Sequence, residues 1–428
     1  MRAFYAVVTF AARTAARLAP GNGKVARSLR ARRGVVERIV AKAATVRDKN
    51  RRLVWFHAPS VGEGLQARPI VASLREADPS LQFAYTFYSP SAEKFAETIG
   101  ADIADYLPLD GAREADALLD ALTPSALVFV KLDVWPMLVA RATARGIPVA
   151  LLSATLAPES SRLGATSRAI TRDAYAALSA VGAISEQHAI RLSSLGVRRS
   201  VTQVTGDTRF DQVWQRASSV DRSGTVLSRL ASARPTLVAG STWPADEAVL
   251  FGAWNAVRAA VPNVRLIIAP HEPTPAHVQP ILAWGAKTGL RTVSLDGALS
   301  EGAHADLIVV DQVGVLGELY ALADVAFVGG GFHDAGMHSV IEPAAFGAPV
   351  VFGPKHRMSR EAGLLLDVHA AKSARTSAEL AIALALWLGD PGRRHIAGEK
   401  ARVVVEDGLG ATARSVALVR GLLDGSPG

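Results

Sequence analysis

Residues 323–354, ADVAFVGGGFHDAGMHSVIEPAAFGAPVVFGP, hold the pattern that decides the fold. Residues 325–329 read as a strand, a glycine turn follows, and His338-Ser339-x-x-Glu342-Pro343 starts a helix. A second strand spans 350–353. A glycine-rich turn lets backbone N–H groups approach a phosphate, and a helix N-terminus adds about half a positive charge aimed the same way. Glu342, one turn into that helix, is placed to accept hydrogen bonds from a ribose.

Working outward, short β-rich runs alternate with helical stretches. Strands are expected at 53–58, 82–86, 127–131, 149–153, 181–185 and 203–205, with helices over 63–77, 91–99 and 135–145 between them. Residues 215–234 interrupt the rhythm with polar, serine-rich sequence. The pattern then restarts, with strands at 236–241, 264–269, 306–310, 325–329 and 350–353. Such alternation predicts parallel sheets with helices on both faces. The expected fold class is therefore α/β, two Rossmann-like doubly wound domains facing a central cleft, where ligands meet the carboxyl ends of the strands. That arrangement is similar to the GT-B glycosyltransferases. The expected division is a terminal segment over 1–30, an acceptor domain over 31–215 and a donor-nucleotide domain over 216–428.

Composition narrows the function. The chain has 428 residues and no cysteine, which excludes disulfides and thiolate metal sites. No Asp-x-Asp pair occurs, so the carboxylate pair that many glycosyltransferases use to hold a divalent metal is missing. The net charge of +8 is concentrated: residues 1–52 carry fourteen Lys and Arg against Glu37 and Asp48, a local +12, leaving about −4 elsewhere. Without an aromatic platform beside it, this basic segment suits anionic lipid headgroups better than nucleic acid. The apolar run 3–12 is too short to span a bilayer, and no convincing signal-peptide cleavage site follows it. A helix over 1–18 lying in the membrane interface is expected, its alternative being a basic helix packed on the protein itself.

The chemistry candidate is His57-Ala58-Pro59-Ser60-Val61-Gly62-Glu63-Gly64, at the carboxyl end of the first strand. Transfer of a sugar to a hydroxyl with inversion needs one base, and Glu63 can serve, although a helix N-terminus stabilises the carboxylate and weakens it as a base. The bland alternative is that Glu63 only caps its helix.

This octapeptide resembles the signature of the bacterial 3-deoxy-D-manno-octulosonic acid (Kdo) transferases. Further matches follow in order: Tyr106-Leu107-Pro108-Leu109-Asp110, Trp135-Pro136, Gly146-Ile147-Pro148-Val149, Gly206-Asp207-Thr208-Arg209-Phe210-Asp211, Ala239-Gly240-Ser241-Thr242 and Gly317-Glu318-Leu319. The resemblance implies an inverting, metal-independent transfer of Kdo from CMP-Kdo to the lipid A precursor, lipid IVA, in lipopolysaccharide core biosynthesis. No cofactor is then expected, CMP-Kdo being a substrate. The implied address is the cytoplasmic side of the inner membrane, peripheral or monotopic.

It also implies Glu63 as base and Arg209 in place of a lysine that stabilises transition-state charge, Arg209 having a salt bridge to Asp207 or Asp211 as its bland alternative. The nucleotide contacts carry over to Pro270, His271, Leu316, Gly317, Glu318, Ser339, Val340, Ile341 and Glu342. Several positions depart from the family pattern. Lys131 stands where a glutamate of Glu-Thr-Glu-x-Trp-Pro-Asn is expected, His271 where Pro-Arg-His-Pro has arginine, and Trp243 where a histidine follows Ser-Thr. Met337 and Ser339 alter Gly-Gly-His-Asn. Lys131 is open to pairing with the Kdo carboxylate, a lipid phosphate or Asp133. Other readings are a GT-B relative with another donor or acceptor, a sugar-nucleotide 2-epimerase, or a non-catalytic nucleotide-sugar or lipid-binding homologue.

Overall fold

The computed structural model describes residues 24–301, 304–334 and 336–425. The expected interfacial helix over 1–18 lies outside the described residues. Among those described, no helix is long and apolar enough to cross a membrane.

Two seven-stranded sheets, parallel in every strand pair, organise the chain. The first contains β1 (Leu53–His57), β2 (Gln82–Phe87), β3 (Ile103–Tyr106), β4 (Ala126–Val130), β5 (Val149–Ala154), β6 (Ala180–Ala183) and β7 (Thr202–Val204), in the order β3-β2-β1-β4-β5-β6-β7. The second contains β8 (Thr236–Thr242), β9 (Arg265–Pro270), β10 (Thr292–Ser294), β11 (Leu307–Val309), β12 (Val325–Val328), β13 (Val350–Phe352) and β14 (Ala371–Ser373), in the order β10-β11-β9-β8-β12-β13-β14. The central strands LVWFH, ALVFV and VAFV are buried at every position, because helices cover both faces of a parallel sheet.

The second sheet inserts β11 between β9 and the edge strand β10; the first sheet reverses its order between β1 and β4 and the second between β8 and β12. The loops after these strands therefore diverge over a crevice at the strand ends, the usual ligand position in open α/β sheets.

The α/β reading holds, with strand ends displaced by a residue or two. Three strands escaped it, β3, β10 and β14, and each is an edge strand of its sheet. Edge strands are short and polar, so IADY, TVS and AKS give no apolar run to read. The helix expected over 91–99 is broken into a 3-10 turn, Pro90–Ala92, and one helical turn, Glu93–Ala96.

The chain divides into two units, Met1–Asp211 with Leu409–Gly428, and Gln212–Gly408. The expected partition, which gave 216–428 wholly to the second domain, thus misplaces the last helix. Ala411–Leu423 packs on the first unit, where Leu418 and Val419 join its core. Asp211 fixes its start, accepting from Gly410 N at 2.7 Å, Thr412 N at 2.6 Å and Thr412 Oγ1 at 2.8 Å.

Candidate active site

In the first unit the loops after β1 and β4 bring together two of the expected residues. Glu63 lies in the first turn of the Val61–Ala77 helix. Lys131 follows β4 with φ of 70°, a left-handed conformation that a side-chain-bearing residue adopts only when its surroundings impose it. Lys131 Nζ donates to Glu63 Oε1 at 2.8 Å, and Ser60 Oγ donates to Glu63 Oε2. Burial pushes the Glu63 carboxyl up, but the Lys131 ion pair and the Ser60 hydroxyl outweigh it and hold the group below its ordinary range. Ser60, the N-cap residue, makes no side-chain cap bond, and its hydroxyl serves the glutamate instead.

Lys131 pairs with Glu63 and not with Asp133, because Asp133 is already engaged. Asp133 Oδ2 meets His57 Nε2 at 3.1 Å and accepts from Trp135 Nε1 at 3.0 Å, while Arg162 lies 3.6 Å from Oδ1. Burial raises Asp133, yet His57, Trp135 and Arg162 bring it below the ordinary carboxylate range. His57 is fully buried, with Nδ1 3.0 Å from Thr86 Oγ1. Tyr175 donates to the Leu132 carbonyl at 3.0 Å. This network clamps the loop that presents Lys131, and sequence reading did not foresee it, having weighed Asp133 only as a partner of Lys131. Their separations, 76 residues from His57 to Asp133, leave no local signal.

Arg209 follows β7, and its guanidinium pairs with Asp207, Nη2 to Oδ2 being 2.6 Å. That is the salt bridge foreseen as its alternative role. The turn is tied to the Glu63 helix, since Thr208 Oγ1 donates to the Gln66 carbonyl at 2.9 Å.

Beside this site, the helices Pro136–Thr143 and Ala165–Ala176 border a cavity of about 320 Å³ lined by Met137, Val139, Ala140, Ala169 and Ile170 among others. The basic segment is partly consumed by the fold. Arg32, 8% exposed, donates to the carbonyls of Ser28, Tyr88 and Leu107; Arg38 pairs with Asp105; Arg47 bonds Leu122 O; and Arg52 meets Asp78 and Asp424.

In the second unit, the loop after β12 is shaped by Asp246. This fully buried carboxylate accepts from Trp243 N at 2.9 Å, Gly330 N at 2.8 Å and Phe332 N at 3.0 Å. Its signal was legible, Trp243-Pro244-Ala245-Asp246 having an acid three residues after the cap of the Pro244–Ala260 helix. Gly331 has no room for a side chain, since a Cβ there would lie 2.6 Å from Gly353 Cα.

The helix expected from His338-Ser339 begins later, as the five-residue Ile341–Ala345. The preceding backbone is irregular, with Val340 already in the right-handed helical region, and the N–H groups of Ser339, Val340 and Ile341 have no protein acceptor among the described residues. Burial pushes the Glu342 carboxyl above its ordinary range, against the lowering pull of Arg216. Arg216 also covers Gly317, where a Cβ would stand 2.9 Å from Nη1. Arg216 was missed because its stretch read as a linker; it lies in the Thr208–Ser219 helix.

Pro270 ends β9, and His271 follows, its N–H bonded to the Thr242 carbonyl at 2.9 Å. The second unit thus gathers Glu342 with the Arg216–Gly317 contact, and His271 with the residues that flank the loop. Among the described residues, no group of three or more His, Asp or Glu side chains is placed to hold a metal ion.

The chain is similar to known proteins over most of its length. Residues 27–212 match the family model described as 3-deoxy-D-manno-octulosonic-acid transferase. A Bordetella pertussis protein named 3-deoxy-D-manno-octulosonic acid transferase is 31% identical over 380 residues, covering 85% of this chain and 86% of its own. The Haemophilus influenzae protein of the same name is 25% identical over 383 residues, covering 87% of each. Among solved structures, the UDP-GlcNAc 2-epimerase from Neisseria meningitidis superposes with a TM-score of 0.61 at 13% identity, over 86% of this chain and 99% of that one. A glycosyltransferase from Rickettsia africae gives 0.59 at 10% identity, over 88% of this chain and 100% of that one. These two likenesses speak to the fold alone.

Proposed function

The chain belongs to the 3-deoxy-D-manno-octulosonic acid transferase family, a family of glycosyltransferases, and from that premise we propose that it transfers Kdo from CMP-Kdo to lipid IVA with inversion and without a metal ion. The observation that carries the reading is Glu63, ionised and presented at the point where the first sheet reverses its order. Glu63 takes the proton of an acceptor sugar hydroxyl as that oxygen attacks the anomeric carbon of Kdo. The bond from that carbon to the phosphate breaks, and CMP departs with the electron pair. Lys131 keeps the base ionised, at some loss of basicity, until substrate draws the ammonium away.

Donor contacts fall to the second unit. Ser339, Val340 and Ile341 offer backbone N–H groups to the phosphate, Glu342 accepts from the ribose, and Leu316, Gly317, Glu318, Pro270 and His271 border the nucleotide. Fixed N–H dipoles and cations, Arg209 among them, meet the developing charge, a role that needs no metal. The apolar cavity beside Trp135 suits an acyl chain of the acceptor. The described part of the basic segment retains Arg27, Arg30, Lys42 and Lys49 for an anionic membrane surface on the cytoplasmic side of the inner membrane.

The test is incubation with CMP-Kdo and lipid IVA, with and without EDTA, reading Kdo-bearing lipid by mass. Product in both conditions is expected. No CMP release in either would overturn the proposed activity, and loss with EDTA alone would overturn metal independence.

A further inference from the structure

His271, already placed at the border of the nucleotide, belongs to a cluster with three residues that the transfer reaction does not yet use, at the strand ends of the second unit. The Trp243 indole stacks on His333, centroids 4.8 Å apart and planes at 9°, and lies 4.7 Å from His271. His271 in turn lies 4.4 Å from His338, whose Nε2 accepts the indole N–H at 3.3 Å. The four come from the loops after β8, β9 and β12, which include both strands of the reversal point. His338 immediately precedes the unsatisfied N–H groups of Ser339, Val340 and Ile341.

The surrounding charges are occupied. Asp246, from the Pro244–Ala260 helix, gives both oxygens to backbone N–H groups. Asp334 is paired with Lys355 at 2.5 Å. Glu247 accepts from Thr242 Oγ1 at 2.9 Å, and exposed Glu272 follows His271. No carboxylate bonds His338, and His271 sits directly against it. Burial, with the neighbouring His271, pushes His338 down to about 4.

We propose that His271, His333 and His338, held on Trp243, form an anion subsite for the donor's phosphate or carboxylate, and that binding the anion takes up a proton. The inference rests on the second unit being the nucleotide site. An arginine would carry its charge permanently, whereas the half-buried His338 imidazole, 4.4 Å from His271, resists charging until an anion arrives. An anion within about 4–6 Å raises such a group by about 1–3 pKa units, toward neutrality. Because the imidazole binds its proton more tightly in the complex than in the unliganded protein, affinity is highest at low pH and falls as pH rises through the complexed value.

The probe is cytidine 5′-methyl phosphate, a diester whose own charge is constant across this range. Isothermal titration at pH 6.0 and 8.0, each in two buffers of different ionisation enthalpy, reads affinity and proton uptake together. Affinity is expected to weaken about five- to tenfold between the two pH values, with net uptake of a fraction of a proton. His271→Arg should keep binding and flatten the pH dependence, and His338→Gln should flatten it while weakening binding, thermal melts verifying that both variants fold. Binding that is independent of pH and buffer in the unaltered protein overturns the inference and leaves the nucleotide site standing. No binding at either pH overturns the nucleotide reading, and the inference with it.

Discussion

At the residue scale, the ion pair between Lys131 and Glu63 sets the terms on which the proposed base works. Glu63→Ala should lower transfer by about 10²–10⁴-fold while CMP affinity, measured by titration, stays within about twofold. Retained activity would reassign the base. Lys131→Met removes the cation, so burial then dominates and the Glu63 carboxyl rises. A base must be unprotonated, so the acid limb of the kcat/KM profile should move to higher pH; an unmoved limb would separate Lys131 from the base. The octapeptide around Glu63 was legible because its residues are contiguous. The partner of Lys131 was not, since the two lie 68 positions apart and Asp133 stood nearer in sequence. Only the fold reveals that Asp133 is spent on His57 and Trp135.

At the scale of elements, the loop after β12 is held by a single carboxylate. Asp246→Ala strands three backbone donors, two of them in that loop, and should cost about 3 kcal/mol of stability in the second unit, read as an earlier urea transition. Nucleotide affinity should fall with it, because the N–H groups of Ser339, Val340 and Ile341 are carried on the same backbone. Unchanged unfolding would mean that the loop is shaped by its glycines alone. Sequence located the strands on either side of this loop but began its helix at Ser339, two residues before Ile341. The Ser339 side chain caps nothing, and the irregular stretch before Ile341 is what leaves those donors unpaired. The edge strands β3, β10 and β14 were illegible for a different reason, lacking the two-sided burial that makes central strands uniformly apolar.

At the scale of the whole molecule, the first unit depends on residues from the far end of the chain. Leu418 is 7% exposed within its core, so Leu418→Ala should lower the stability of that unit by about 2–5 kcal/mol. Calorimetry that resolves two transitions should show the first unit melting earlier and the second unchanged; a shift in the second instead would contradict the division at Asp211 and Leu409. The return was invisible in the sequence, where ATARSVALVRGLL reads as one more amphipathic helix with no address. The docking has a consequence for biosynthesis. A ribosome that has completed Asp211 must still polymerise Gln212–Gly408 before the docking helix emerges, about 10–40 s at about 5–20 residues per second. Through that interval the first unit waits with an uncovered flank, so a pause in translation falls on a half-covered first unit while the second is being made.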